Sequence, residues 1–210
     1  MKNRKVITAW LILFVSPMIA NAGDQKSQLE ILIGALVVCP PGAPTRFVDN
    51  GDGTICDHET GLMWEKKNAS DGVTDLSNPH DVDNTYKWSN AGSNPDGPAF
   101  TDFLARLNGE KASTVPSEQL GGYSDWRMPT STELQTLLFE PFTCSIDPCI
   151  IDPVFAPTGS WPYWSFTSSA TNTLNAWYVY FGDGTVDVYP KSSEDLVFNA
   201  RAVRGSLRGR

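Results

Sequence analysis

The chain contains few histidines, few cations and few long apolar runs, and these shortages argue against several classes of function. Its two histidines, His58 and His80, lie in polar contexts away from any serine or cysteine nucleophile pattern. Lysine and arginine number 16 against 24 aspartate and glutamate residues, and this acidity argues against general binding of nucleic acid. No motif assigns catalytic residues. We therefore expect no catalytic site.

Residues 1–22 predict a secretory signal peptide. Cations at positions 2, 4 and 5 precede an apolar run from Val6 to Ile19, and Ala20-Asn21-Ala22 has the small-x-small pattern of a cleavage site. The run holds about 14 residues, whereas a membrane span needs roughly 20, so an N-terminal anchor is the weaker interpretation. We therefore expect a secreted, periplasmic or cell-envelope protein with no transmembrane segment in the mature chain.

The four cysteines, Cys39, Cys56, Cys144 and Cys149, predict disulfide bonds, because an even number in an exported chain is typical of a disulfide framework. Of the three possible connectivities we favour Cys39 with Cys56 and Cys144 with Cys149, since the second pair closes a small loop that contains a proline. A zinc site is disfavoured, because 16 residues separate the first pair and metal ligands are usually closer in sequence.

Two Asp-Gly turns predict β-hairpins near both ends of one domain. Residues 50–54 and 181–185 each contain Asp-Gly, which supplies the positive φ of a tight turn, and alternating apolar and polar residues flank both. Further strand patterns lie at Leu62–Trp64, at Trp177–Phe181 and, as a closing strand, at Asn199–Gly205.

Two helices are expected after a long loop. Residues 67–98 are rich in Asn, Asp, Ser, Gly and Pro and predict the loop. Apolar residues spaced by three and four predict an amphipathic helix from Phe100 to Leu107. Thr130 and Glu133 form a capping box ahead of a second helix, which should end before Pro141. This order predicts an α+β fold with mainly short antiparallel strands, two helices and long loops.

Five ordered motifs resemble the Lcl C-terminal domain family, which occurs at the ends of bacterial collagen-like adhesins and in other exported proteins. They lie at residues 46–54, 60–65, 125–134, 163–179 and 201–205. The resemblance implies a C-type-lectin-like architecture, related to the formylglycine-generating enzyme fold, with the chain ends close together. It covers residues 45–205, between a lead segment 23–44 and a basic tail 206–210. The chain has no collagen-like Gly-x-y repeat.

The resemblance implies an exported binding or adhesion module that recognises a glycan or a surface protein. Two other classes stay open. An enzyme on the formylglycine-generating-enzyme-like fold would be favoured by a cleft that joins clustered acids to His58 or His80. A structural subunit of an envelope complex would be favoured by a flat apolar patch.

Aromatic side chains are the candidate ligand contacts, because a ring can stack on the C–H face of a sugar. Four of them lie in or beside turn-rich segments and are predicted to bind ligand: Trp88, Trp161, Tyr163 and Tyr189. Four other tryptophans fit core positions better: Trp64, Trp126, Trp164 and Trp177. In the segment from Asp125 to Thr130 we expect Arg127 to bond a carboxylate or backbone and fix the start of the second helix, the alternative being a ligand platform.

No cofactor is expected, with calcium as the alternative. Residues 49–53 resemble a calcium loop but lack the third and twelfth ligands of an EF-hand, so a plain hairpin turn is favoured. Calcium could instead lie among the acids of the long loop, at Asp71, Asp75, Asp81 and Asp83.

Overall fold

A computed structural model describes residues 38–68, 70–112, 119–138, 151–159, 161–193 and 198–206. The predicted signal peptide, the chain from residue 23 to residue 37, the Cys144–Cys149 pair and the tail after residue 206 lie outside these ranges. Within them, no helix has the length and apolar character needed to cross a bilayer.

The first sheet contains the early hairpin and the closing strand. Strands β1 (Phe47–Asp49), β2 (Thr54–Asp57), β3 (Met63–Glu65) and β7 (Val203–Arg204) lie in the order β1-β2-β3-β7, and every neighbouring pair is antiparallel. Gly51 and Gly53 have φ values of 78° and 86° in the β1-β2 turn, a conformation that glycine adopts without steric cost. The hairpin predicted from Asp-Gly is confirmed.

The second sheet contains the late hairpin. Strands β4 (Tyr163–Ser168), β5 (Asn175–Val179) and β6 (Val186–Pro190) are antiparallel in the order β4-β5-β6. Residues 180–185 connect β5 to β6, with Gly184 at a φ of 80°. Two antiparallel sheets with few helices confirm the α+β class.

The two predicted helices are present but short. The first runs from a π-helical stretch, Ala99–Leu104, into an α-helical one, Ala105–Leu107. The second is α-helical over Ser131–Gln135. Its capping box is formed as predicted: the Thr130 side chain accepts the Glu133 N–H, and the Glu133 side chain accepts the Thr130 N–H.

The core has two buried clusters, and each takes side chains from both sheets. One packs against the first helix and includes Met63, Trp126, Trp164 and Phe198. The other packs against the second helix and includes Trp64, Leu134, Phe155, Tyr163 and Val203. Core positions for Trp64, Trp126 and Trp164 are therefore confirmed. The core prediction was wrong for Trp177, which is half-buried because β5 emerges from an exposed turn at residues 170–174.

The loop of residues 67–98 contains no helix and no strand of either sheet among its described residues, as predicted. Its side chains nevertheless fasten it to the domain at both ends, near Lys67 and near Trp88. The predicted disulfide between Cys39 and Cys56 is formed. Val38, just before it, lies beside Gly205, so the ends of the described chain are close together.

Candidate functional site

A cleft of about 370 Å³ opens between the first helix, the start of the second helix and strand β4. Its lining is mostly apolar, with three aromatic rings and two polar side chains: Phe100, Leu104, Trp126, Arg127, Met128, Thr130 and Phe166. Ligand pockets commonly hold ~300–1,000 Å³ and combine apolar walls with a few polar groups. We call these residues the aromatic cleft and treat it as the candidate binding site.

The first helix supplies one wall of the aromatic cleft. Its π-helical stretch places Phe100 and Leu104, four residues apart, on the cleft, while Ala99 and Phe103 are buried in the core. A π-helix bonds i to i+5, which widens the turn, and such stretches are frequent at functional sites. The predicted apolar face therefore divides into buried residues, such as Phe103, and the half-buried Phe100 and Leu104, which line the cleft.

A β-bulge in strand β4 supplies the opposite ring. Trp164 pairs with Tyr178 and Ser168 with Ala176, so β4 holds two more residues than β5 between these positions. The Phe166 N–H donates to the Pro129 carbonyl at 2.7 Å instead of to a strand, and its ring is 50% exposed. Bulges re-aim side chains in this way near binding sites.

Trp88 packs against two rings of the aromatic cleft but does not line the cleft. Its ring centroid lies 4.9 Å from that of Phe100, edge to face, and 6.3 Å from that of Phe166. The indole N–H donates to the Ser165 carbonyl at 2.8 Å. Because Trp88 is 2% exposed and bonded, it holds the two cleft rings in place.

Lys191 fixes the same indole. Its ammonium lies 4.1 Å from the Trp88 ring centroid and donates to the Ser168 hydroxyl at 2.6 Å and the Thr173 carbonyl at 2.8 Å. Burial lowers the pKa of Lys191. We call Trp88 and Lys191 the aromatic anchor, because together they join the end of the long loop to the second sheet.

The polar groups of the aromatic cleft are bonded within the protein. Arg127 donates to both Glu133 carboxylate oxygens, at 2.6 and 2.8 Å, and to the Gly205 carbonyl at 2.7 Å. Burial would raise the pKa of Glu133, but the bonds from Arg127 and Thr130 hold it below its ordinary value. The predicted role of Arg127, fixing the start of the second helix through a carboxylate, is confirmed.

A buried ionic group lies under the other end of the loop. The fully buried Glu65 carboxylate binds Lys67 Nζ at 2.9 Å, His80 Nδ1 at 3.0 Å and the Ala202 N–H at 3.1 Å. Burial alone would raise the pKa of Glu65. The charge of Lys67 and the hydrogen bond from His80 outweigh that effect, so the pKa lies below its ordinary value. We call Glu65, Lys67 and His80 the ionic anchor. None of the three lines the aromatic cleft.

The four aromatic residues predicted to contact ligand are placed differently. Trp161 is 54% exposed, whereas Trp88 and Tyr163 are buried. Tyr189 is half-buried, with its ring 5.3 Å from that of Phe198. Ligand binding by these residues stays a prediction. Phe166 was not among the residues predicted to contact ligand. The one signal for it in the sequence is that Tyr163 and Trp164 are adjacent apolar residues, which interrupts the alternation of apolar and polar residues expected of β4.

The acids of the long loop bond its own backbone. Asp83 accepts the N–H groups of Asp71 and Gly72, and Asp81 accepts those of Asp75 and Asp83. In the first hairpin, Asp49 accepts the Gly51 N–H and pairs with Lys66. Among the described residues, no group of three His, Cys, Asp or Glu side chains is arranged to hold a metal ion.

A family model described as the Lcl C-terminal domain matches residues 53–204. This range includes every residue of the aromatic cleft and every strand of the two sheets apart from β1. No curated protein and no solved structure matches the chain.

Proposed function

The chain belongs to the Lcl C-terminal domain family, and on that premise we propose that it is an exported binding module whose ligand site is the aromatic cleft. The ligand is a glycan or a protein at a cell surface. The observation that carries the proposal is the meeting of a π-helix and a β-bulge on one cleft, since both irregularities are typical of functional sites.

The position of the ionic anchor supports binding over catalysis. An enzyme would be favoured if clustered acids and a histidine shared one cleft with a substrate. Glu65 and Lys67 are instead buried, and His80 bonds Glu65 in the interior. This arrangement suits a structural role, in which the charges hold the loop to the first sheet.

Export is supported by the disulfide between Cys39 and Cys56, because such bonds persist in oxidising compartments. We expect the mature protein to begin at Gly23. The intact mass of protein recovered from the periplasm or medium of a bacterial host measures this directly. A mass that still includes residues 1–22 would favour an uncleaved N-terminal anchor.

A second candidate site is the exposed ring of Trp161. Its 54% exposure favours it for stacking on a sugar, which needs an accessible ring face. The cleft and Trp161 make separable predictions, because Trp161 does not line the cleft.

Glycan and peptide arrays probed with the mature protein test the proposal. We expect saturable binding that Phe166→Ala reduces at least tenfold and that Trp161→Ala leaves unchanged. Loss with Trp161→Ala alone would move the site to that ring. Binding that survives both substitutions, or none on either array, would contradict the cleft as the ligand site. Thermal melting of each variant confirms that it is folded.

A further inference from the structure

Strand β6 forms the free edge of the second sheet. It pairs with β5 on one side, and no other segment among the described residues pairs with its outer side. The Tyr180 N–H donates to the Thr185 carbonyl, and the Lys191 N–H donates to the Leu174 carbonyl. Backbone groups alternate in direction along a strand, so those of residues 187 and 189 also face β5. The backbone groups of residues 186, 188 and 190 therefore point away from the sheet.

An open edge at this position would favour association between copies of the chain. The N–H and C=O groups of a free edge can pair with a strand of another molecule. The strand behind the edge continues from Ala176 to Phe181 with four aromatic residues and without charge or proline, a composition typical of segments that aggregate. Since β6 covers this segment, the outer side of β6 is where a second copy would add its own strand.

Two exposed residues, Asp187 and Pro190, occupy or remove most of the outward groups of β6. The Val188 N–H, which points outward, donates to Oδ1 of Asp187 at 2.7 Å. Pro190 has no N–H to offer, and its carbonyl accepts the Ser193 N–H at 3.3 Å. Within the described part of the chain, Val186 is thus the one outward residue of β6 whose N–H has no hydrogen-bond partner.

We propose that Asp187 and Pro190 prevent two copies of this chain from joining their second sheets edge to edge. Asp187 acts twice, because it occupies the Val188 N–H and because its charge would meet like charge on a pairing strand. Pro190 removes a donor that a continuous ladder needs. No residue of β6 lines the aromatic cleft, so this inference is independent of the proposed ligand site.

Sedimentation velocity of the mature protein over a range of concentrations tests the inference. The double variant Asp187→Thr, Pro190→Thr restores a donor and removes the charge, with a residue that favours strands. We expect it to associate at a concentration at least tenfold lower than the wild type does. Asp183→Asn is the matched control, because it removes one negative charge from the turn of the same hairpin and leaves the edge intact. It should sediment like the wild type.

Amide hydrogen exchange locates the contact. In the wild type we expect the Val188 N–H to be protected at least tenfold more than the Val186 N–H, since only the former is bonded. Asp187→Thr alone should remove this difference in dilute solution. In the double variant both amides should become more protected as the concentration rises, because a second copy then covers them.

Three results would overturn the inference. One is a folded double variant that sediments like the wild type at every concentration. Another is association that leaves the amides of Val186 and Val188 unprotected, which would place the contact elsewhere. Thermal melting shows whether the double variant is folded. If it is not, the wild-type exchange decides, and equal protection of the two amides would show that Asp187 does not hold the Val188 N–H.

Discussion

The long loop is held at its two ends by opposite means. The ionic anchor at residues 65–80 joins charged groups in a closed interior, and the aromatic anchor joins an indole to a lysine beside the open cleft. Glu65 faces two basic side chains, whereas Lys191 is bonded to a hydroxyl, to backbone carbonyls and to a ring face. Both anchors are buried, and they differ in that the aromatic anchor packs against two rings of the proposed binding cleft.

The difference shows why buried polar groups near a site need not belong to it. In the ionic anchor the pKa values of both Glu65 and Lys67 are lowered, and perturbed pKa values in general mark functional sites. Its residues are nevertheless buried and none of them lines the cleft, which favours a structural role. The proposed site, the aromatic cleft, instead has a half-exposed ring and an irregular backbone.

Breaking the ionic anchor should have the largest effect. Glu65→Gln keeps the shape of the side chain but leaves Lys67 buried without its countercharge, so we expect a loss of about 3–5 kcal/mol in the free energy of unfolding. Urea denaturation measures it. The double variant Glu65→Gln, Lys67→Met should recover part of the loss, because it removes the unpaired charge as well. No recovery would mean that the pair is not the source of the effect.

Breaking the aromatic anchor should cost less. Lys191→Met removes three hydrogen bonds from a charged donor, each worth about 1.5–3 kcal/mol where nothing replaces it, but it leaves no unpaired charge in the interior. The carbonyls it releases belong to the exposed residues Ser93 and Thr173, where water can replace the ammonium. Urea denaturation again measures the change. A loss equal to that of Glu65→Gln would show that this end of the loop is as closed as the other.

The acid dependence of stability sharpens the contrast further. The folded pKa of Glu65 lies below its ordinary value of 4.5, so its contribution is fully present above that pH and is lost as the pH falls through the folded pKa. One such group gives a slope of at most about 1.4 kcal/mol per pH unit. Glu65→Gln should flatten the curve below pH 4.5, whereas Lys191→Met should leave its slope unchanged. An unchanged slope in Glu65→Gln would assign the acid dependence to other carboxylates.

Removing a cleft ring should change stability least. Phe166 is half-exposed, so Phe166→Ala should lower the free energy of unfolding by about 1 kcal/mol or less while it weakens ligand binding at least tenfold. Melting temperature and affinity for a ligand identified on the arrays, measured on one preparation, check both parts. A large loss of stability would place Phe166 in the core instead of at a binding surface.

Local signals in the sequence were sufficient for much of the fold. The Asp-Gly turns predicted both hairpins, because the φ preference of glycine acts within a few residues. Thr130 and Glu133 gave the start of the second helix for the same reason. Cys39 and Cys56 gave the disulfide from spacing and compartment, without any knowledge of the sheet.

The candidate site depended on contacts that no local pattern contains. The aromatic cleft joins residues near positions 100, 127 and 166, and the rings meet only through a π-helix and a β-bulge. The ionic anchor escaped prediction because Lys67 and His80 lie in a polar stretch typical of a loop. Tertiary burial converts these polar side chains into internal ones.

The disulfide between Cys39 and Cys56 also decides how the domain would carry a mechanical load. Cys56 on β2 pairs with Met63 on β3, and Met63 pairs with Arg204 on β7. This row of paired residues across the first sheet connects the disulfide to β7. Tension applied between residues 38 and 206 therefore bypasses β1 and leaves the second sheet off the force path. With handles at these residues, we expect pulling to open the first sheet before β4 moves; earlier rupture of the second sheet would contradict this load path.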